Sequence, residues 1–370
     1  MEKNNKTLNV PHLRFPEFSG EWERCTIGDI TRNFSLRNKD KIQYPMFSIT
    51  NSRGFVPQSE QFEDREMIGE DIKAYKIIHE GDFAYNPARI NVGSIAKYDK
   101  SEPCMISSLY VCFKALPQIN NEWLMQLLKT PKMNFYYNVN GEGGVRVYLF
   151  YPNFARIRTS YPSLAEQQKI AGFLSLLDQR IETQRKIIED LKKLKDAICI
   201  SQLKSHYETE YMIGDLCKPI AAKQYISADI TAAGAYPIIQ QGENPIAGYT
   251  ESMPFMDYKD VILFGDHTLS IYRPKAPFLL STDGIKILKP NDMVNRDYLY
   301  YLIYTFMPEP EGYKRYYSIL KDMWVPVPNI STQKSIVGKL LSIDSKIEIE
   351  ARMLELQFQQ KQYLLASMFI

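Results

Sequence analysis

Between Ser163 and Leu203 the chain carries one uninterrupted apolar rhythm. Leu174, Leu177, Ile181, Ile188, Leu191 and Ile198 recur with the alternating three- and four-residue step of a coiled-coil seam, and polar Gln184 and Lys195 interrupt it. The stretch contains no proline and a single glycine, Gly172. Pro162 stands just outside it, and Ser163 with Glu166 has the spacing of a capping box. The pattern predicts one helix over 163–203, about 60 Å long at 1.5 Å per residue. A helix of that length with one apolar stripe needs a partner helix to cover it.

The same chain supplies the partner. Residues 162–182 align without gaps on 328–348, and eight of these 21 positions are identical, including Pro162/Pro328, Gln167/Gln333, Gly172/Gly338 and Asp178/Asp344. The second seam runs through Leu340, Ile343, Ile347, Leu354 and Leu364, with Glu350 and Lys361 where the first has Gln184 and Lys195. Shared periodicity alone could arise in any two helices. A shared Pro, Gly and Asp at fixed offsets marks an internal duplication. Equivalent halves joined as globular part, helix, globular part, helix are placed symmetrically only if the two helices run in opposite directions, which is the packing expected for 163–203 against 329–369. Glycine inside a helix costs about 1 kcal/mol. Its repetition at 172 and 338 favours a close contact, with a globular part or with a partner, over neutral tolerance. The second hinge has Thr332 where the first has Glu166, so a weaker cap is expected there.

Ahead of each helix lies a different pattern. Residues 1–9 read as a polar, disordered leader. Short apolar or alternating runs at Met46–Ile49, Ala74–Ile78, Phe83–Tyr85 and Leu109–Phe113, broken by Gly, Asn and Pro, predict strands and turns. Residues 120–130 and 295–305 predict a short helix in each half, and a Gly-rich loop, 140–146, precedes Pro162 in the first. Residues 235–249 and 260–274 repeat the order of 43–55 and 81–98 with diverged loops, and Ile213-Gly214-Asp215-Leu216 repeats Ile27-Gly28-Asp29-Ile30. The fold class is therefore α+β. Mixed α/β globular parts at 1–162 and 206–328 alternate with long helices at 163–205 and 329–370.

Composition bounds the function without defining it. The chain has 370 residues, 45% hydrophobic, enough for two cores. A net charge of +2 neither demands nor forbids a nucleic-acid partner. Five scattered cysteines without a Cys-x-x-Cys pair point to a reducing cytoplasm. The first 20 residues hold no signal-peptide core, and no run of about 18 apolar residues is present to span a membrane.

No catalytic constellation emerges. The glycines of 141–144 lack the Lys-Ser/Thr of a phosphate loop, and there is no Gly-x-Ser-x-Gly elbow. Asn86-Pro87-Ala88-Arg89 resembles the Asn-Pro-Pro-aromatic motif of amino methyltransferases but lacks its second Pro and its aromatic. The four histidines are scattered and form no metal-ligand pair. The loops, by contrast, interleave basic, amide and aromatic residues. Arg32, Arg37, Arg53, Asn86, Arg89, Asn91 and Arg146 in the first half are the candidates for DNA contact, with Gln240, Gln241, Asn244, His267, Arg273, Lys314 and Arg315 in the second. Such side chains hydrogen-bond base edges or neutralise phosphate, and tyrosine can stack. Any one of them could equally be an ordinary solvated loop residue, and many of the 25 tyrosines are expected in the core.

The opening segment 13–23, the Gly-Asp-Phe of 81–83, the Pro-x-x-x-Glu-Gln-x-x-Ile hinge of 162–170, residues 265–288 and the degenerate hinge of 328–336 resemble the DNA-specificity subunits of type I restriction–modification systems. The resemblance covers nearly the whole chain. It implies two target-recognition domains held by two antiparallel helices, each domain reading one half of a bipartite, asymmetric site in double-stranded DNA. It further implies two methyltransferase subunits docked on the helices and two motor-nuclease restriction subunits completing a cytoplasmic antiviral complex. In that family this chain is not an enzyme, and S-adenosylmethionine, ATP and Mg belong to the partner subunits. The alternative reading is a coiled-coil adaptor that binds another protein through its loops. A stand-alone methyltransferase is disfavoured by the missing motifs.

Overall fold

The computed structural model describes residues 8–51, 53–60, 72–143, 148–204 and 209–370. They form two units, Met1–Thr183 with Leu354–Ile370, and Gln184–Met353. Each unit thus combines one globular part with stretches of both long helices.

In the first unit four strands form an antiparallel sheet in the order Thr31–Phe34, Val111–Ala115, Phe83–Tyr85, Ile95–Lys97. Their short lengths reflect the Gly/Pro/Asn punctuation between them. The hairpin Phe47–Thr50/Gly54–Pro57 and the pair Lys76–Ile78/Cys104–Ile106 stand beside this sheet around a small core of Phe47, Ile49, Tyr98 and Ile106. The larger core joins the sheet to the helices. Phe83 and Phe113 stack at 5.0 Å, and Tyr85, Phe154 and Trp123 continue inward to Ile170, Leu174 and Leu177. Phe369, near the end of the C-terminal helix, packs on Trp22 and Trp123.

The second unit repeats the sheet strand for strand, as Cys217–Ile220, Ile285–Pro290, Ile262–Gly265 and Ile271–Tyr272. Its hairpin is Tyr236–Ile239/Ile246–Thr250, extended by Leu279–Leu280 in parallel. Both sequence-predicted short helices are present, Asn121–Leu128 and Arg296–Thr305, capped by Asn120 and Asn295.

The long helices run from Leu164 to Leu203 and from Ile330 to Ser367. Within the first unit Trp22, which donates its indole N–H to Glu166 near the start of the central helix, also touches Phe369 at the end of the other helix, and Lys361 meets Asp178. Within the second, Gln184 meets Glu350 while Lys195 meets Asp344. In each unit one helix therefore ascends where the other descends, as the alternating topology requires. The seam positions Leu174, Leu177, Ile181, Leu340 and Leu364 are buried, and Ile188, Leu191, Ile198, Ile343, Ile347 and Leu354 are half-buried.

The hinges are built alike around a buried glutamine. Gln167 accepts from the Asn120 main-chain N–H at 2.8 Å and donates to the carbonyls of Pro162 and Gln118. Gln333 accepts from Asn295 at 2.8 Å and donates to Pro328 and Met293. One side chain thereby fixes the short helix's cap and the long helix's start together.

Three expectations are corrected. The capping box is incomplete. The Glu166 N–H donates only a long 3.4 Å bond to Ser163 Oγ, and the Glu166 carboxylate accepts from Arg14 and Trp22 instead. The second cap is not the weaker one, because Asn329 accepts from the Thr332 N–H at 2.9 Å. Gly172 and Gly338 make no close contact with a globular part among the described residues, which leaves contact with a partner chain as the remaining form of that expectation. Both are exposed, and a Cβ at either position would meet nothing within 4 Å.

Candidate nucleic-acid interface

Strand direction decides which loops meet. In the first unit Tyr85 pairs with Val111, so the loop leaving Tyr85 and the loop entering Val111 emerge at one end of the sheet. The Leu149 N–H donates to the Pro87 carbonyl at 3.0 Å, bringing 148–150 to the same place. Ser94 donates to Ile49 at 2.9 Å and so ties in the neighbouring hairpin. Here Asn86 accepts from the Ala88 N–H, making an Asx turn that shapes the loop. Arg89 is exposed beside it. Asn86, Arg89, Leu109, Tyr148 and Phe150 line an open cleft of about 570 Å³. The Tyr148 and Phe150 rings lie parallel with centroids 6.2 Å apart.

In the second unit Gly265 pairs with Ile285, and the loops 266–270 and 281–284 converge in the same way. The Gln241 side chain reaches from the hairpin turn and accepts from the His267 N–H at 3.0 Å. A Cβ on Gly284 would lie 2.3 Å from the Gln241 amide nitrogen, so this position must be glycine for Gln241 to pack there. The loop 311–317 closes the cluster. Tyr316 is buried; it donates its hydroxyl to Gly312 and accepts from the Glu311 N–H, both at 2.7 Å. Asp266 receives the Tyr316 and Tyr317 N–H groups at 2.8 Å. The carbonyl of Lys314 can only accept, so its 2.9 Å contact places the proton of His267 on Nδ1. Tyr313 lies flat against the His267 ring, centroids 4.6 Å apart and planes within 3°.

The geometry therefore gathers Asn86 and Arg89 in one cluster, and Gln241, His267 and Lys314 in the other, with exposed Arg315 next to Lys314. Other candidates fall elsewhere or are spoken for. Asn91 donates to Asn138 at 3.0 Å, and the Gln240 amide donates to the main chain of Asn244 at 2.9 Å, closing the hairpin turn. Arg32 is exposed along its strand opposite Lys114, and exposed Arg37 has its main chain bridged to Lys76. Arg53, 3.5 Å from Glu60, lines a separate cleft with Lys97, Glu122 and Lys129. Arg146 lies outside the described residues.

Arg273 is a correction. Its guanidinium is only 18% exposed, is paired with Asp344, and lies over the Tyr300 ring at 4.2 Å. It ties the second globular part to the C-terminal helix, with Nη1 facing Tyr301 and Asp297 and Nη2 bonded to Asp344. Burial opposes ionisation of Asp344, but the Tyr301 hydroxyl, Lys195 and Arg273 outweigh it and hold the carboxyl below its usual pKa. Sequence reasoning missed Leu109 and Phe150 at these clusters, and it expected tyrosine stacking in these loops without singling out Tyr148 or Tyr313. Aromatic residues are too common in this chain to flag, and the available signal was Tyr313 lying between Gly312 and the Lys-Arg pair.

No group of three or more His, Cys, Asp or Glu among the described residues could hold a metal ion, and no described helix is long and apolar enough to cross a membrane. The five cysteines are free; burial pushes the thiols of Cys25, Cys104, Cys112 and Cys217 up to about 12.

The chain is thus a duplicated α+β protein with a loop cluster on each sheet and stretches of two long helices in each unit. The chain belongs to the type I restriction modification DNA specificity family, whose domain profile matches residues 19–193 and 206–356. It is 24% identical to a protein of Methanocaldococcus jannaschii named for the specificity subunit of the type I restriction enzyme MjaX, over 94% of this chain and 92% of that one. Its fold is similar to the S subunit of a type I restriction–modification system from M. genitalium, with a TM-score of 0.61 at 15% identity over 98% and 99% of the two chains. A second solved structure, from work on complex assembly and conformational transition of the type I system, matches at a TM-score of 0.58 and 15% identity over 96% and 98%.

Proposed function

We propose that this chain is the non-catalytic DNA-reading subunit of a cytoplasmic type I restriction–modification complex, each unit reading one half of a bipartite, asymmetric site. The observation that carries the reading is the pair of loop clusters at equivalent ends of equivalent sheets, built from different residues. Asn86 and Arg89 stand among aromatics in one, and Gln241, His267 and Lys314 in the other. One scaffold with two dissimilar reading surfaces suits two dissimilar half-sites. Arg and Asn offer paired donors and acceptors to guanine and adenine edges, and Lys314 and Arg315 offer charge to phosphate.

In this reading the long helices receive two methyltransferase subunits, and two restriction subunits complete the assembly. S-adenosylmethionine, ATP and Mg are held by those partners. The chain alone should transfer no methyl group to DNA.

Titrating the full-length chain against duplex DNA over a range of salt tests the reading against a protein-binding adaptor. A phosphate-contacting reader loses affinity linearly in log–log salt with a slope near −0.9 per neutralised phosphate. Absence of duplex binding, or binding indifferent to salt, would favour the adaptor.

A further inference from the structure

Tyr313 is the most exposed large aromatic side chain of either loop cluster, 87% accessible, yet it does not sit on a floppy loop. Its inner face is backed by His267, whose ring is pinned by the Lys314 carbonyl and whose main chain is pinned by Gln241. Gly312, at φ +83, allows the sharp turn that presents the ring, and buried Tyr316 anchors the turn from below. The ring's outer face is open to solvent, followed in the chain by Lys314, which pairs with Glu311, and exposed Arg315. The His267 contact holds the exposed ring in one orientation, so its accessible face is presented as a fixed flat surface. An aromatic ring beside cationic side chains is what stacks on a nucleobase, every base having a π-face. The first unit presents its own parallel pair, Tyr148 and Phe150, at its cluster.

We infer that Tyr313 is a stacking platform for one base displaced from the helical stack of the bound duplex, with His267 as the positioning residue behind it. Arg315, and Lys314 on exchanging its Glu311 partner, would hold the phosphates flanking that base, and Gln241 would hold the His267 main chain in place behind the ring. This rests on the DNA-reading proposal and adds to it a local distortion of the DNA at the second half-site. A duplex whose target step is already weakened pays less to unstack and should bind tighter.

The test begins with duplexes selected from a random library by the full-length chain. 2-Aminopurine is then placed at each purine of the selected sequence in turn. With the unaltered chain, fluorescence should change at one position of one half-site, reporting a base that has left its neighbours. Tyr313→Ala should abolish that change and weaken binding about tenfold, the scale of one lost base–aromatic stack. Tyr313→Phe and Tyr313→Trp should retain both. A mismatch at the reporting position should strengthen binding by the unaltered chain more than by Tyr313→Ala. If the chain binds selected duplex and Tyr313→Ala leaves affinity and fluorescence unchanged, the stacking inference is overturned while DNA reading stands. If Tyr313→Leu behaves like the unaltered chain, the side chain is an apolar wedge and stacking is again overturned. If no duplex is selected at all, the DNA-reading proposal falls and takes this inference with it.

Discussion

Lys195 on the central helix and Asp344 on the C-terminal helix form an ion pair at 3.0 Å. Their repeat counterparts, Lys361 and Asp178, form the same pair in the first unit with helix roles exchanged. The polar interruption of the seam is thus a specific clasp. Asp344 also accepts from the Tyr301 hydroxyl and from Arg273, so its loss removes the carboxylate partner of Lys195 and leaves Arg273 with only the more distant Asp297, all in partly buried surroundings. Asp344→Ala should cost about 3–5 kcal/mol by analogy with breaking buried pairs, visible as a lower urea midpoint for unfolding. A shift indistinguishable from that of an exposed-site control, such as Asp283→Ala, would remove the clasp from the account.

The same carboxylate gives a pH dependence with a definite sign. Its folded pKa is depressed, so its contribution to stability is complete above the unfolded value, about 3.9. It is lost as the pH falls from there through the lower folded value. Stability measured at pH 7 and again near pH 3 should drop less for Asp344→Asn than for the unaltered chain. Equal acid losses would show that Asp344 is not one of the titrating groups that matter.

Gln167 and Gln333 each satisfy three main-chain groups at a hinge. Replacing either by alanine leaves those groups without their partner and should cost about 1–3 kcal/mol for each buried group left unmet. Gln333→Glu, which keeps the acceptor for Asn295 but loses both donated bonds, should be destabilising as well. A neutral Gln333→Ala in chemical denaturation would mean that water replaces the side chain without cost.

Gly172→Ala and Gly338→Ala should raise the stability of the isolated chain by roughly 0.5–1 kcal/mol each, because nothing in the chain occupies the Cβ position and alanine is the better helix former. A loss of stability would show that the sites are more crowded than the open positions indicate.

The helices and their duplication were legible in the sequence because a coiled-coil seam is a one-dimensional pattern, and a paired Gly, Asp and Pro repeat with it. The hinge glutamines were visible as identities, but their role was not, since it depends on carbonyls and N–H groups supplied by a distant short helix. The loop clusters were only half legible. Composition placed Asn86, Arg89, Gln241, His267 and Lys314 among the candidates, and strand pairing then selected which of these share a surface. Arg273 shows why composition alone misleads: its loop context is polar, yet the fold turns its side chain inward to Asp344 and the tyrosines of the short helix.

The central claim, that two unlike loop clusters read two unlike halves of one DNA site, is met most directly by selecting random duplexes with the full-length chain, with Arg89→Ala, and with Lys314→Ala/Arg315→Ala. The unaltered chain should yield two defined blocks of bases separated by an undefined spacer. Arg89→Ala should relax one position in one block only, by about 1–3 kcal/mol of discrimination if it contacts a base edge. The double variant should alter the other block alone, or weaken all sequences alike and lower the salt slope by about one per lost phosphate contact. A single continuous block, or relaxation of the same block by both variants, would contradict the two-headed account.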